Sequence, residues 1–280
     1  EFVAVQQTLF TLFCVVRVRA VYKWEEVSDP PIIQLNDEWD NPALYYTLPS
    51  ILDVWHSSTV HYLREPRAVL NLFKNRCFSF EESWDPDSGQ SRNPFINIEG
   101  NSNAIRDHIA REVAEELKGE LLVNPPTCLV PLKYLYGNTS HILHGPYISL
   151  GMYASSHAVK VHWGLRPVIM TGYWNDVTAA TLADIFINTT IPRSKSCLYE
   201  FPKDLLRPDL TLFINTHNHA PDSREENRPP VWRSRFTESF LRFRKVKLRE
   251  VKWFGADNVT ATILNLIQHE LGEKFDLSIN

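Results

Sequence analysis

Hydrophobic and polar positions change period several times along the chain. Pro94-Phe95-Ile96-Asn97-Ile98-Glu99-Gly100 is short, almost continuously apolar and closed by glycine, which predicts a buried strand. Ile105, Ile109, Val113 and Leu117 then recur every four residues and predict a helix over 105–117. Three further apolar runs predict strands: Glu120–Val123 (closed by Pro125-Pro126), Pro167–Gly172 and Asp209–Asn215. Helical spacing covers 149–161, 231–248 and 258–272, with a short strand around 252–254 between the last two. Apolar strands alternating with helices imply an α/β fold: three layers, a mostly parallel sheet and helices on both faces.

The first third of the chain is less regular. Val69, Leu70, Leu72 and Phe73 predict a helix over 65–73, whereas 20–60 is rich in Trp, Pro and acids and reads as loops with short helices. The polar stretch 81–93 (EESWDPDSGQSRN) carries Pro and Gly and marks a boundary. The expected division is an N-terminal region over 1–92 and a domain over 93–280. Phe2–Val16 is largely apolar but contains Gln6 and Gln7 and falls short of the ~20 residues a membrane span needs, so it reads as a buried strand or short helix.

Composition adds limits. Hydrophobic residues make up 44% and charged residues 22%, with a net charge of −4, which gives no overall bias toward nucleic acid or an anionic membrane, and neither partner is expected. The charge is uneven. Residues 1–60 hold three basic and eight acidic residues; residues 221–250 hold nine basic and five acidic. The basic segment suits either a small anionic ligand or a solvated helix face. Cys14, Cys77, Cys128 and Cys197 contain no C-x-x-C pair and read as reduced thiols. Sequons start at Asn138, Asn188 and Asn258; with no clear secretory signal they read as chance matches.

A strand, a glycine and a helix are the setting of a phosphate-binding loop. In G-x-x-x-x-G-K-[ST] the backbone N–H groups cradle phosphates, the lysine reaches the outer phosphates and the hydroxyl binds magnesium. The eight residues here are Gly100, Asn101, Ser102, Asn103, Ala104, Ile105, Arg106 and Asp107, and the first glycine alone fits the pattern. Two other groupings carry little. His217-Asn218-His219 with Asp222 lacks the spacing of a zinc site and reads as a polar loop. Asp184, His157 and Ser155-Ser156 come without a G-x-S-x-G elbow, which argues against a hydrolase triad.

Several segments, in order, resemble the thymidylate kinase-like family of P-loop nucleoside monophosphate kinases, and within it the mitochondrial UMP–CMP kinase branch. Ile98-Glu99-Gly100 leads into a helix with Val113-Ala114 and Leu117-Lys118; Pro125-Pro126-Thr127-Cys128 resembles P-P-S-C; Ser149-Leu150-Gly151 with Tyr153 resembles S-L-G-x-Y. Pro167-Val168-Ile169 with Tyr173-Trp174 resembles P-V-I-V-D-R-Y-W. The most specific stretch is Tyr199, Phe201-Pro202, Asp204-Leu205-Leu206, Arg207-Pro208-Asp209-Leu210 and Leu212, against Y-x-W-P-x-D-L-L-K-P-D-L-x-L. Arg67-Ala68-Val69-Leu70 and Leu72 resemble the helix ahead of that kinase domain, so the likeness runs over about 64–275.

The departures fall on the chemistry. Ile105 stands at the second loop glycine, Arg106 at the lysine, Asp107 at the magnesium hydroxyl and Ser102 at a loop acid. Thr171-Gly172 replaces the Asp-Arg pair of D-R-Y, so the family's magnesium-site acid and monophosphate clamp are both missing. His144-Gly145 replaces a basic pair, while Lys133 keeps the charge of a phosphate-contacting arginine. The short lid segment, 221–235, carries Arg224, Arg228, Arg233 and Arg235.

The resemblance thus implies a kinase homologue with weak or no phosphoryl transfer from ATP to a pyrimidine monophosphate. Two alternatives stand beside it: an active pyrimidine monophosphate kinase (dTMP, UMP or CMP) with a rebuilt site, and a non-catalytic interaction module. The candidate catalytic residues are Arg106 and Asp107, with Asp107 also the magnesium candidate; the nucleotide-binding candidates are Gly100, Arg106, Lys133, Tyr173, Arg224 and Arg228. Tyr173-Trp174 suits a base pocket and a core equally. ATP and magnesium are the implied cofactors of an active form, with none otherwise. A nucleotide ligand, a homodimer and a mitochondrial or cytoplasmic location complete what the resemblance implies.

Overall fold

The computed structural model describes residues 44–57, 64–78, 91–130, 141–216, 228–243, 247–255 and 259–277. The strands are β1 (Phe95–Gly100), β2 (Glu120–Val123), β3 (Val168–Thr171), β4 (Leu210–Thr216) and β5 (Leu248–Trp253). The helices are α1 (Leu48–His56), α2 (Arg64–Asn75), α3 (Asn103–Glu116), α4 (His141–His162), α5 (Trp174–Ile185), α6 (Pro230–Phe240) and α7 (Val259–Leu271). The strands form one sheet in the order β2-β3-β1-β4-β5, every neighbouring pair parallel. With helices on both faces, this is a three-layer α/β architecture.

Side-chain alternation along the strands divides the core in two. Ile96 and Ile98 of β1, Ile169 of β3 and Leu210, Leu212 and Ile214 of β4 point to one face, where they meet Ile109 and Val113 of α3 and Ile263 and Ile267 of α7. Phe95, Val168, Met170 and Phe213 point to the other. That face is covered by Tyr147 and Leu150 of α4, Trp174 and Leu182 of α5 and Phe236 and Phe240 of α6. Ile51 and Trp55 of α1 and Val69 and Phe73 of α2 are buried in this second core. Phe213 stacks on Phe240 with ring centroids 4.2 Å apart.

The segments with the strongest resemblance prove to be the joints of this scaffold. Tyr153 donates to Asp204 (2.8 Å), whose other oxygen accepts from the backbone N–H of Leu48 and so fixes the start of α1. Burial, then the bond to Asp204, pushes the Tyr153 phenol well up. Gly151 faces Asn124 and Pro125 so closely that a Cβ would stand 2.4 Å from Asn124 Oδ1. Asp209, at the entry to β4, accepts from both guanidinium nitrogens of Arg92 (2.7 and 2.9 Å) and from the N–H of Phe95.

Three sequence expectations need correction. The helix expected over 231–248 ends at Phe240, and Leu248 opens β5 instead. A helix over Trp174–Ile185 was not expected; between Trp174 and Leu182 its buried face is made of small and polar residues (Asn175, Thr178, Ala179), which interrupt the apolar period. Cys77 and Cys128 form a disulfide with their Cα atoms 5.5 Å apart, joining the turn after α2 to the segment after β2; Cys197 is free. The fold brings together two cysteines 51 residues apart, a proximity that spacing alone does not reveal.

Candidate functional site

The C-terminal edge of a parallel sheet is where an open α/β fold offers a site. Here that edge is the end of β1, the turn into α3 and the turn from β3 into α5. Gly100 ends β1, and α3 begins at Asn103, so two residues, Asn101 and Ser102, connect strand and helix. Gly100 sits in a tight place: a Cβ there would lie 3.0 Å from the carbonyl oxygen of Ile214. Asn101 bonds across to β4. Its carbonyl oxygen accepts from the N–H and hydroxyl of Thr216 (2.8 and 2.7 Å), and its amide donates to Asn215 (2.9 Å). Asn215 donates in turn to Glu250 on β5 (2.6 Å). The ends of β1, β4 and β5 are laced together by these side chains.

The second part of the site is ionic. Glu99, fully buried, accepts backbone hydrogen bonds from Gly172 (3.1 Å) and Tyr173 (2.7 Å). Gly172 holds φ +72°, a left-handed conformation that glycine adopts without strain, and this aims both N–H groups at the carboxylate. Arg106, 8% exposed, lies on the α3 face that meets this turn. Its guanidinium pairs with Asp107 (2.8 Å), with Asp176 of α5 (3.6 Å) and, at 4.0 Å, with Glu99. Burial, then Asp176, pushes the Glu99 carboxyl up; Arg106 and the two N–H donors oppose this without cancelling it. Burial opposes the charge on Arg106, but Asp176, Glu99 and Asp107 outweigh it and keep the guanidinium protonated. Among the described residues the cluster is one cation with three carboxylates, and Arg106 has no positive charge to spare for an anion.

The other expected site residues are dispersed or lie elsewhere. Ile105 packs against the α3–α7 core. Tyr173 and Trp174 are core: Tyr173 is fully buried, donates to the carbonyl of Leu206 (2.8 Å), and has its phenol pushed up by burial. Arg228 pairs with Asp184 (2.5 Å) and lies over the Trp232 ring, two turns along α5 from Asp176, about 12 Å at helical rise. Arg106 and Arg228 therefore do not share a site. Lys133, Arg224 and the His217-Asn218-His219 loop lie outside the described residues. Among the described residues no group of His, Cys, Asp or Glu is arranged to hold a metal ion, and no helix is long and apolar enough to cross a membrane. Asp107, the magnesium candidate, gives its carboxylate to Arg106 (2.8 Å). Sequence reasoning missed Asp176 and Glu99 as members of this cluster. The signal for Glu99 was a carboxylate inside an otherwise apolar strand.

No family model matches the chain. Human mitochondrial UMP-CMP kinase 2 is 24% identical over 266 residues, which cover 88% of this chain and 57% of that protein. The chain thus spans little more than half the length of that relative. Thymidylate kinase from Candida albicans superposes with a TM-score of 0.46 at 18% identity, covering 65% of this chain and 94% of that one. Over most of its length, then, the chain is similar in sequence to a nucleoside monophosphate kinase.

Proposed function

We propose that this chain is a kinase-fold homologue that transfers phosphoryl groups from ATP to pyrimidine monophosphates weakly or not at all, and acts by binding. One observation carries the reading: Arg106, the residue at the loop lysine's place, is closed in by Asp107, Asp176 and Glu99. The two-residue turn before α3 supports it, because the cradle of a phosphate loop needs several consecutive residues outside the helix. Phosphoryl transfer depends on positioned charge, and losing one such donor costs about 10²–10³ in rate. The lysine, the magnesium hydroxyl and the Asp-Arg pair are all replaced here.

The test is turnover of UMP, CMP and dTMP by the purified chain with ATP and magnesium. The expected result is a rate indistinguishable from the protein-free blank. A turnover of about 1 per second, within the range of working kinases, abolished by Asp107→Ala, would establish a rebuilt site. A thermal shift distinguishes nucleotide binding without turnover, since ligand at 100 times its dissociation constant adds about 2.7 kcal/mol.

A further inference from the structure

We infer that Asn188 is an N-linked glycosylation site and that the chain matures in the oxidising lumen of the secretory pathway. Two unrelated observations meet here. The first is a sequon, Asn188-Thr189-Thr190, in the turn just past α5. All three residues are exposed, and the turn is closed by a hydrogen bond from the Thr189 N–H to the carbonyl of Phe186 (3.1 Å). An N-glycan needs an exposed, open turn, and this one provides it. The second is the Cys77–Cys128 disulfide. Such bonds persist in oxidising compartments and are reduced in the cytosol. The sequon by itself is a common pattern, and the disulfide by itself admits more than one oxidising compartment. Glycan acceptor and disulfide together point to one.

The geometry leaves room for the glycan. Asp176, in the ionic cluster, lies in the first turn of α5, and Asn188 follows the last turn. The twelve-residue helix spans about 18 Å, so a glycan on Asn188 stands at the opposite end of the helix from the cluster. In the transfer, the Asn188 amide nitrogen bonds to the anomeric carbon of a polyprenyl-diphosphate oligosaccharide. The carbon–oxygen bond to the diphosphate breaks, and the amide gives up one proton. In the disulfide, the two thiols give up two protons and two electrons to a disulfide-bearing oxidant of the same compartment.

The test uses the full-length natural protein produced in eukaryotic cells with no added leader and isolated under an alkylating agent. Peptide N-glycosidase in heavy-oxygen water should convert Asn188 to isotopically labelled Asp. The label should vanish in Asn188→Gln and Thr190→Ala and persist in Thr190→Ser, which keeps the sequon. The peptides of Cys77 and Cys128 should be recovered as a linked pair. An unlabelled Asn188 peptide overturns the assignment whatever the state of the cysteines, and recovery of Cys77 and Cys128 as alkylated thiols overturns the compartment. The readout is independent of any kinase activity.

Discussion

Replacing Arg106 with Met keeps an apolar stem in the buried position and removes the one cation from the cluster. Glu99 is then fully buried beside Asp176, with two backbone N–H groups as its remaining support. Removing one partner of a buried ion pair costs about 3–5 kcal/mol. Asp107 and Asp176 are 47% and 21% exposed and keep some water, so the loss falls mainly on Glu99, at about 3 kcal/mol. For a chain of this size that lowers Tm by about 6–12 °C. The sign of the pH dependence follows from the direction of the Glu99 shift. A carboxyl raised in the folded state binds its proton more tightly there than in the unfolded chain, so stability falls as pH rises between the two values. Loss of Arg106 raises Glu99 further, and the deficit grows with pH by up to about 1.4 kcal/mol per unit. Urea midpoints for wild type, Arg106→Met and Arg106→Met/Glu99→Gln at about pH 5 and about pH 8 give the comparison. The single variant should lose more at the higher pH, and the double variant should lose that slope. A single-variant loss below about 1 kcal/mol at the higher pH, or equal at both, would refute the picture of a guanidinium neutralising a buried Glu99.

Gly172→Ala should cost about 1–2 kcal/mol: the nearest atom to a new Cβ is 3.5 Å away, so the penalty is the left-handed backbone and not crowding. Chemical denaturation checks it, and a neutral result would mean that the turn relaxes and the Gly172–Glu99 bond is dispensable. Asp209→Asn should lose about 1–3 kcal/mol at neutral pH through its charge-assisted bonds to Arg92. Burial alone would raise this carboxyl, but hydrogen bonds from Arg92 and Phe95 outweigh it and hold it below the ordinary value. Its stabilisation is therefore present above the unfolded value and lost as pH falls through the folded one. The gap between wild type and variant should close below about pH 4; a gap that persists in acid would show that the bond matters by packing alone.

The strands at Phe95, Val168 and Leu210 were legible because burial on both faces leaves a short, nearly continuous run of apolar residues. Helix α3 was legible because Ile109 and Val113 mark one face every four residues. Helix α5 was not, since between Trp174 and Leu182 it packs through Asn175, Thr178 and Ala179, whose small side chains carry little hydrophobic signal. The site was half legible. Arg106 stood out in the sequence through the resemblance alone, and its pairing with Asp176, seventy residues later, is a property of the fold. The Cys77–Cys128 bond was hidden for the same reason.

The pattern of what is kept and what is changed has a physical logic. Tyr153, Asp204 and Asp209 resemble the kinase family and each forms a bond between distant elements: α4 to the segment before β4, that segment to α1, and β4 to the entry of β1. Such groups are buried or half-buried, and an unmatched partner would be costly, so the pairs hold together as units. A phosphate loop faces the opposite constraint. Its N–H groups and lysine are left unpaired by the protein because the nucleotide is their partner. On the reading proposed above, that partner no longer supplies the compensation, and the same groups satisfy one another. Asn101 bonded to β4, α3 begun at Asn103, and Arg106 closed among carboxylates are that outcome: a sheet edge that has completed its own hydrogen bonds and ion pairs.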